Sequence, residues 1–176
     1  MELGLIHIYC GDGKGKTTAA MGLGIRACGR DKKVLLTQFL KDNDTGELIS
    51  IGKLGENFQV FKGTPVKKFF KFMTPEEQSQ IKIEHEERFR KVTKKAIDEA
   101  FDLLIMDEII ATTNLDLVSV DEVVEFLKNK PKGLEVVLTG RGPNEKLIEF
   151  ADYISEIKAV KHPYEKGIYS RMGIEK

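Results

Sequence analysis

Short apolar runs along this chain alternate with longer stretches in which apolar residues recur every three or four positions. The runs are rich in Val, Ile, Leu and Phe, which is typical of buried strands. They predict six strands, at residues 5–9, 34–39, 58–61, 103–107, 134–139 and 153–157. Because apolar strands that alternate with helices form a parallel sheet covered on both faces, we expect a three-layer α/β/α fold with a mostly parallel central sheet.

Local signals place the predicted helix ends. Residues 74–77 (Thr-Pro-Glu-Glu) supply a capping hydroxyl, a proline at the first helical position and an acid three residues after the cap, so a long helix is predicted from here to about residue 99. Ser119 and Glu122 repeat the capping box before a helix that Pro131 ends. Two further helices are predicted, one that starts at residue 15 with Gly29 just past its end and one over 147–151.

Length and charge narrow the class of protein. A chain of 176 residues suits one well-filled core, so residues 1–176 are predicted to form a single domain. Lys plus Arg and Asp plus Glu are equal at 28 each, which gives no basic excess of the kind that nucleic-acid and anionic-membrane binders show. No apolar run approaches a membrane span and no export signal opens the sequence, so we expect a cytoplasmic protein that acts on small molecules.

The chain contains two cysteines, Cys10 and Cys28, and neither has metal-ligand spacing to another Cys or His. We expect both to be reduced thiols. Cys10 ends a strand beside a glycine-rich loop, where packing as a small residue is favoured over an acidified thiol.

The glycine-rich loop after the first strand has the character of a phosphate cradle. Alternate glycines allow backbone N–H groups to turn towards phosphate oxygens, and the following helix directs its positive end at them. The usual pattern is G-x-x-x-x-G-K-[ST], and its first glycine is replaced here by Cys10. The candidate nucleotide-binding residues are Gly11, Asp12, Gly13, Lys14, Gly15, Lys16, Thr17 and Thr18.

A bound triphosphate needs more compensating charge than a helix terminus supplies, which is about half a positive charge. Lys14, Lys16 and a divalent cation held by the Thr17 hydroxyl are expected to supply it. Asp107 and Glu108 end an apolar strand, where a second carboxylate usually completes such a metal site. The alternatives are a glycine turn with solvated lysines, and acids that only cap the next segment.

Motifs elsewhere in the chain indicate a particular family. They are Gln38-Phe39-Leu40-Lys41 with Gly46-Glu47 beyond it, Leu138-Thr139-Gly140-Arg141, Val160-Lys161-His162-Pro163-Tyr164 with Gly167-Ile168, and Gly173-Ile174-Glu175. Together with G-D-G-K-G-K-T-T and M-D-E, this order resembles the P-loop family of corrinoid adenosyltransferases from Gly4 to Glu175. The resemblance implies a P-loop NTPase-like, RecA-like fold.

In that family the Co(I) of a reduced corrinoid attacks the 5′ carbon of ATP and triphosphate leaves. The resemblance therefore implies that Lys14, Lys16, Thr17 and Mg²⁺ or Mn²⁺ clamp the leaving group, with Thr17 and Glu108 as metal ligands and Asp107 in the same shell. It also implies a nucleotide reversed in the loop, a homodimer and an electron-donating reductase. The corrinoid that it implies is of the cobalamin, cobinamide or cobyrinic acid diamide type.

The resemblance further implies an aromatic side chain that removes the lower ligand from cobalt. Phe69, Phe70 and Phe72 lie in the corresponding region, with core packing or a single-stranded nucleic-acid patch as alternatives. Arg141 is a candidate phosphate contact or a plain surface arginine, and His162 is a motif residue or a structural histidine before a proline turn. The charged N-terminal helix of many members has no counterpart before the first predicted strand, so a more open corrinoid pocket is expected.

Two rival functions use the same loop. A phosphotransferase or ATPase would need a hydroxyl or water placed at the γ-phosphate, and no further motif indicates one. A sensor that binds a nucleotide or corrinoid without turnover is the other rival. The presence of Lys16, Thr17 and Glu108 weighs against it.

Overall fold

The computed structural model describes residues 3–175 and contains one six-stranded sheet. Every strand pair is parallel, and the strand order is β3-β2-β4-β5-β1-β6. The strands are β1 (Ile6–Cys10), β2 (Val34–Gln38), β3 (Phe58–Val60), β4 (Leu103–Asp107), β5 (Glu135–Thr139) and β6 (Tyr153–Glu156). The predicted P-loop NTPase-like α/β class is confirmed, and the sheet is parallel throughout rather than mostly so.

Helices cover both faces of this sheet. They are α1 (Lys16–Cys28), α2 (Gly46–Ile51), α3 (Pro75–Asp98), α4 (Ile109–Asn114), α5 (Val120–Asn129) and α6 (Glu145–Phe150). One buried cluster joins apolar residues of α1 and α2 to the sheet, and a larger cluster joins those of α3 to α6 to its other face. Burial of these two faces supplies most of the driving force for the fold. Of the helices in residues 3–175, none is long and apolar enough to cross a membrane.

The helix signals in the sequence had different outcomes. At α3 the full capping box is present: Thr74 Oγ1 accepts from the Glu77 N–H at 3.3 Å, and the Glu77 carboxylate accepts from the Thr74 N–H at 2.7 Å. The second box is wrong, because Ser119 occupies the cap position of α5 but its side chain makes no capping hydrogen bond. Gly29 ends α1 in a right-handed conformation, with φ of −65°, and not in the left-handed one that favours glycine.

The parallel arrangement brings four loops to one edge of the sheet. The carboxyl ends of β1, β2, β4 and β5 all lie at this edge, and each is followed by a segment with candidate site residues. In open α/β sheets ligands bind at this edge, where connections run to opposite faces. The helices α2 and α4, which the sequence pattern did not predict, also start here.

Candidate active site

The loop after β1 leads directly into α1, whose first residue is Lys16. This lysine is buried, and its ammonium donates to the Gly13 carbonyl at 2.8 Å. Burial, with a smaller contribution from the Arg141 guanidinium, lowers the pKa of Lys16 below its ordinary value. The loop thus folds around a partly desolvated cation, while Lys14 at its tip is exposed.

The loop glycines have different structural roles. At Gly13 a Cβ atom would lie 2.8 Å from the Ile157 carbonyl oxygen, and the Gly13 N–H donates to that oxygen at 2.7 Å. Gly13 therefore allows the loop to pack on the segment after β6, and the expectation that each loop glycine turns its N–H towards phosphate needs correction there. Gly15 has φ of +120° with open space around it, so glycine at this position serves the cradle conformation itself.

Asp107, the last residue of β4, is the centre of the hydrogen-bond network. Its Oδ1 accepts from Thr17 Oγ1 at 2.9 Å and from Thr139 Oγ1 at 2.6 Å. Its Oδ2 accepts from Gln38 Nε2 at 3.0 Å and from Lys41 Nζ at 2.8 Å. The carboxylate is fully buried, and it connects the loop after β1 to the ends of β2 and β5.

The two adjacent acids have opposite pKa shifts. Burial alone would raise the pKa of Asp107, but the Lys41 ammonium and the hydrogen bonds from Lys41, Thr139 and Gln38 outweigh it and hold this pKa below its ordinary value. Burial and the Asp107 charge raise the pKa of Glu108. Asp107 is therefore a fixed, paired anion, whereas Glu108 is a carboxyl group that a cation or another donor would stabilise in its charged form.

Glu108 takes an uncommon backbone conformation. Its φ of +62° is left-handed, and its N–H donates to Thr139 Oγ1 at 2.9 Å. It precedes α4, yet its side chain makes no capping hydrogen bond, so the alternative that this acid merely caps the next segment is wrong. Left-handed conformations at non-glycine residues are energetically unfavourable, and they are concentrated at functional sites.

Two buried polar residues of α3 form hydrogen bonds with backbone groups at the end of β2 and just after it. Arg88 donates to the Gln38 carbonyl at 2.7 Å and to the Thr64 carbonyl at 2.8 Å. His85 Nδ1–H donates to the Ile81 carbonyl at 2.9 Å, while its Nε2 accepts from the Leu40 N–H at 3.3 Å. Because Leu40 is left-handed, with φ of +55°, these contacts hold the turn that returns Lys41 to Asp107.

A cavity of about 710 Å³, which we call the loop cavity, lies next to this hydrogen-bond network. It is lined by the loop from Asp12 to Thr18, by Lys41 and Glu108, and by the segment after β6. Arg141 also lines it, with Nε 3.8 Å from Asp12 Oδ1 and a side chain that is 69% exposed. The structure thus brings together the predicted loop residues, both acids and Arg141.

His162 lines the same cavity but has a structural contact of its own. Its Nδ1 accepts from the Tyr164 N–H at 3.2 Å and so caps the short 3₁₀ helix Pro163–Lys166. The capping contact favours the structural interpretation of this motif histidine. Cys10, at the start of the loop, is buried, and burial together with the Glu156 charge raises its pKa, so the acidified-thiol alternative is wrong.

A second cavity, of about 560 Å³, adjoins the loop cavity, and we call it the aromatic cavity. It is lined by Leu40, by the segment 66–71, and by Leu115, and Lys41 borders both cavities. The side chains of Phe69 and Phe72 are 77% and 62% exposed, with ring centroids 6.4 Å apart, so core packing is wrong for these two. Phe70 is half-buried and lines the cavity with Phe69.

Sequence reasoning assigned no role to several residues of this site. Gln38, Lys41 and Thr139 each lie at or just beyond a strand end, so the rule that parallel strands present their carboxyl ends together was a usable signal for them. Arg88 gave no such signal, because an arginine on a charged helix is usually solvated.

The donor set fits a hard divalent cation such as Mg²⁺. Thr17 and Glu108 line the loop cavity, and the buried Asp107 carboxylate accepts a hydrogen bond from the Thr17 hydroxyl. Within residues 3–175 no group of three or more His, Cys, Asp or Glu side chains could hold a metal by itself. Mg²⁺ is commonly held by one or two protein oxygens with substrate phosphates and water completing the shell, so the residues present suit it.

Comparisons with known proteins agree with the geometry. Residues 2–175 match the family model described as ATP:corrinoid adenosyltransferase BtuR/CobO/CobP. The chain is 33% identical over 175 residues to the corrinoid adenosyltransferase of Escherichia coli (strain K12), covering 99% of this chain and 86% of that protein. It is 31% identical over 180 residues to the corrinoid adenosyltransferase CobA of Salmonella typhimurium, with the same coverages, and 35% identical to one from Sinorhizobium sp, 81% of which is covered.

Proposed function

This chain belongs to the ATP:corrinoid adenosyltransferase family, and from that premise we propose how its residues divide the work of transferring the adenosyl group of ATP to the Co(I) of a reduced corrinoid. Attack on the 5′ carbon forms a cobalt–carbon bond and expels triphosphate, so negative charge develops on the leaving phosphates. Co(I) is itself a strong nucleophile, and the protein needs no general base for this step. Its task is to position the reactants and to stabilise the leaving group.

A single observation supports this division best: the loop cavity and the aromatic cavity meet at Lys41. A nucleotide whose phosphates lie in the loop, in the reversed orientation of the family, directs its ribose away from the loop and towards the neighbouring cavity. Lys14 and Lys16 neutralise the phosphates, with Thr18 and the other loop residues around them. Arg141 is placed to contact the same anion at the mouth of the loop cavity.

Mg²⁺ or Mn²⁺, when bound, supplies positive charge to the triphosphate. We assign Thr17 and Glu108 as its direct ligands, because no side chain among the described residues donates to the Glu108 carboxylate and because Thr17 lies in the first turn of α1, at the end of the phosphate loop. Asp107 already accepts four hydrogen bonds. It therefore acts through Thr17: because Asp107 accepts the hydroxyl hydrogen, the lone pairs of the Thr17 oxygen would remain available to a cation.

We propose that the corrinoid binds in the aromatic cavity. Phe69 and half-buried Phe70 line this cavity, and exposed Phe72 lies beside Phe69. Their rings offer apolar surface against which the corrin ring packs and from which the lower cobalt ligand is excluded. Removal of that ligand makes reduction from Co(II) to Co(I) easier. On the family resemblance, we expect the required electron to come from a reductase.

Further expectations rest on the resemblance and on the fold. The single sheet from β1 to β6 supports one catalytic domain over residues 1–176. Members of the family work as homodimers, and we expect the same here. A cytoplasmic location suits an enzyme that takes ATP and electrons from soluble donors.

The direct test combines protein, ATP, Mg²⁺ and chemically reduced cobalamin, and follows the light-sensitive spectrum of an alkylcobalamin. Lys16→Ala is expected to lower kcat/KM for ATP by about 100- to 1000-fold, as loss of one charge-stabilising donor does elsewhere. Lys94→Ala, which removes an exposed ion pair with Asp98 on α3, serves as the control and should keep wild-type activity. Unchanged turnover in Lys16→Ala would remove the loop from the mechanism.

A further inference from the structure

Arg88 is a buried arginine of α3 without an acidic partner. The residue is 3% exposed, and within residues 3–175 its guanidinium donates to two backbone carbonyls and to no carboxylate. Its Nε has no hydrogen-bond partner in the same part of the chain. Burial of a charge that no opposite charge compensates is unfavourable, and apolar replacements of buried charges are often neutral or stabilising. Stability alone therefore does not explain an arginine at this position.

The two carbonyls that accept from Arg88 belong to two segments in contact with each other. Gln38 ends β2, and its carbonyl accepts at 2.7 Å; Thr64 lies between β3 and α3, and its carbonyl accepts at 2.8 Å. The two segments also meet directly, because the Val66 N–H donates to the Lys41 carbonyl at 2.9 Å. The guanidinium thus joins the turn after β2 to the segment that packs on it.

Gly63 leaves the space that the guanidinium occupies. A Cβ atom at Gly63 would lie 1.8 Å from Arg88 Nε and 2.0 Å from its Cζ. The φ of Gly63 is outside the left-handed region, so the close approach of Arg88, and not the backbone conformation, requires glycine here. The Asn43 side-chain amide donates to the Gly63 carbonyl at 2.7 Å and holds this backbone in place. The fold therefore accommodates the buried arginine with a residue that has no side chain.

The turn after β2 carries both side chains that donate to Asp107 Oδ2. Gln38 Nε2 donates at 3.0 Å and Lys41 Nζ at 2.8 Å. Arg88 holds the Gln38 carbonyl, where this turn starts, and its guanidinium lies 5.7 Å from the centre of the Phe39 ring. Lys41 lines both the loop cavity and the aromatic cavity, so a shift of the turn would move a cation at the boundary between them.

We propose that Arg88 is a positioning residue for adenosyl transfer, which acts by fixing Lys41 at the boundary of the two cavities. This role rests on the proposed function, in which ATP and the corrinoid occupy those cavities. Arg88 lines neither of them, so its effect on turnover passes through the turn after β2. The planar fork of a guanidinium holds two carbonyls at once, which a single ammonium group does not.

The test measures kcat and KM for ATP by alkylcobalamin formation with the full-length enzyme. Arg88→Met should lower kcat by about 10- to 100-fold, as small misplacements near a reaction centre do, and change KM for ATP by less than about 2-fold. Arg88→Lys should have an intermediate kcat. Gly63→Ala should also lower kcat, because its Cβ displaces the guanidinium. Arg90→Met, which removes an exposed arginine of α3 paired with Glu122, is the matched control and should keep wild-type kcat.

A double-mutant cycle distinguishes positioning from general destabilisation. If Arg88 acts through Lys41, Arg88→Met should slow the wild type by about 10-fold or more but slow Lys41→Met by less than about 2-fold. Effects that multiply, or wild-type kcat in either single variant, would overturn the proposal. Urea unfolding shows which variants are folded, and Gly63→Ala or Arg88→Lys replaces Arg88→Met in the cycle if that variant does not fold. Absence of alkylcobalamin with the wild type would instead contradict the proposed function.

Discussion

Glu108 has a backbone conformation that glycine adopts at lower cost. A left-handed conformation costs an L-residue roughly 1–2 kcal/mol. Burial, and then repulsion by the neighbouring Asp107 charge, raises the pKa of Glu108. Its N–H is held by Thr139, but its carboxylate receives no hydrogen bond from the described residues. At the residue scale, then, the chain keeps an unfavourable side chain at the position where a cation and phosphates are proposed to bind.

Glu108→Gly is therefore expected to separate stability from activity. Relief of the left-handed strain, less the roughly 0.5–1 kcal/mol entropic cost of glycine, leaves the free energy of unfolding unchanged or up to about 1.5 kcal/mol higher. Adenosyl transfer should fall by about 100-fold or more. Chemical denaturation and an alkylcobalamin assay measure the two effects.

The control for this variant is Asp31→Gly, which relieves the same kind of strain, at φ of +59°, in an exposed turn away from the site. It should show a similar change in stability with full activity. If Glu108→Gly kept wild-type activity, Glu108 would have no part in the reaction.

At the scale of elements, the helix α3 connects the core to the site. Its capping box and apolar face were predictable from Thr74, Glu77 and the spacing of Ile81 and Phe89. Arg88 lies on the same helix, and its contacts with the end of β2 could not be predicted, because they depend on which strand the helix crosses.

Two short helices show where local sequence signals end. The six residues of α4 follow a left-handed glutamate and include two threonines, so neither length nor propensity marks this helix. Likewise α2 is six residues long and begins in a polar loop. These short helices form because the edge of the folded sheet fixes the positions of their first residues. By contrast, the contact of Thr17 with Asp107 follows from a strand–loop–helix motif and a strand end, both legible in the sequence.

The buried His85 of α3 makes the free energy of unfolding depend measurably on pH. Burial, then the Arg88 charge, lowers the pKa of His85 from 6.5 to about 4 in the folded protein. In the unfolded chain His85 has its ordinary pKa and binds a proton more readily, so acid favours unfolding. The contribution of His85 to the free energy of unfolding is therefore complete above about pH 6.5 and declines as the pH falls towards 4. Between about pH 7.5 and about pH 5, this one group should cost roughly 2 kcal/mol of unfolding free energy.

The measurement is urea unfolding of wild type and His85→Gln at both pH values. Glutamine places an acceptor near the Leu40 N–H but does not titrate, so the variant should lose about 2 kcal/mol less on acidification. His7 and His162 are common to both proteins and cancel in the comparison. An equal loss in the two proteins would show that His85 is not held neutral in the fold.

At the scale of the whole molecule, one sheet edge joins the loop cavity, which we propose holds the phosphates of ATP, to the aromatic cavity, which we propose holds the corrinoid. The loop cavity collects Lys14, Lys16 and Arg141, which suit phosphates, and the aromatic cavity offers apolar surface to a large ring. Lys41 lies at their boundary and is held on Asp107 through a turn that α3 supports. This arrangement favours chemistry at the ribose end of ATP over chemistry at the γ-phosphate.

Product analysis tests this arrangement most directly. With ATP, Mg²⁺ and a reduced corrinoid, each cobalt–carbon bond should be accompanied by one molecule of inorganic triphosphate, and omission of the corrinoid should abolish ATP consumption. Formation of ADP and phosphate in step with turnover would contradict the account, because it would place the reaction at the γ-phosphate.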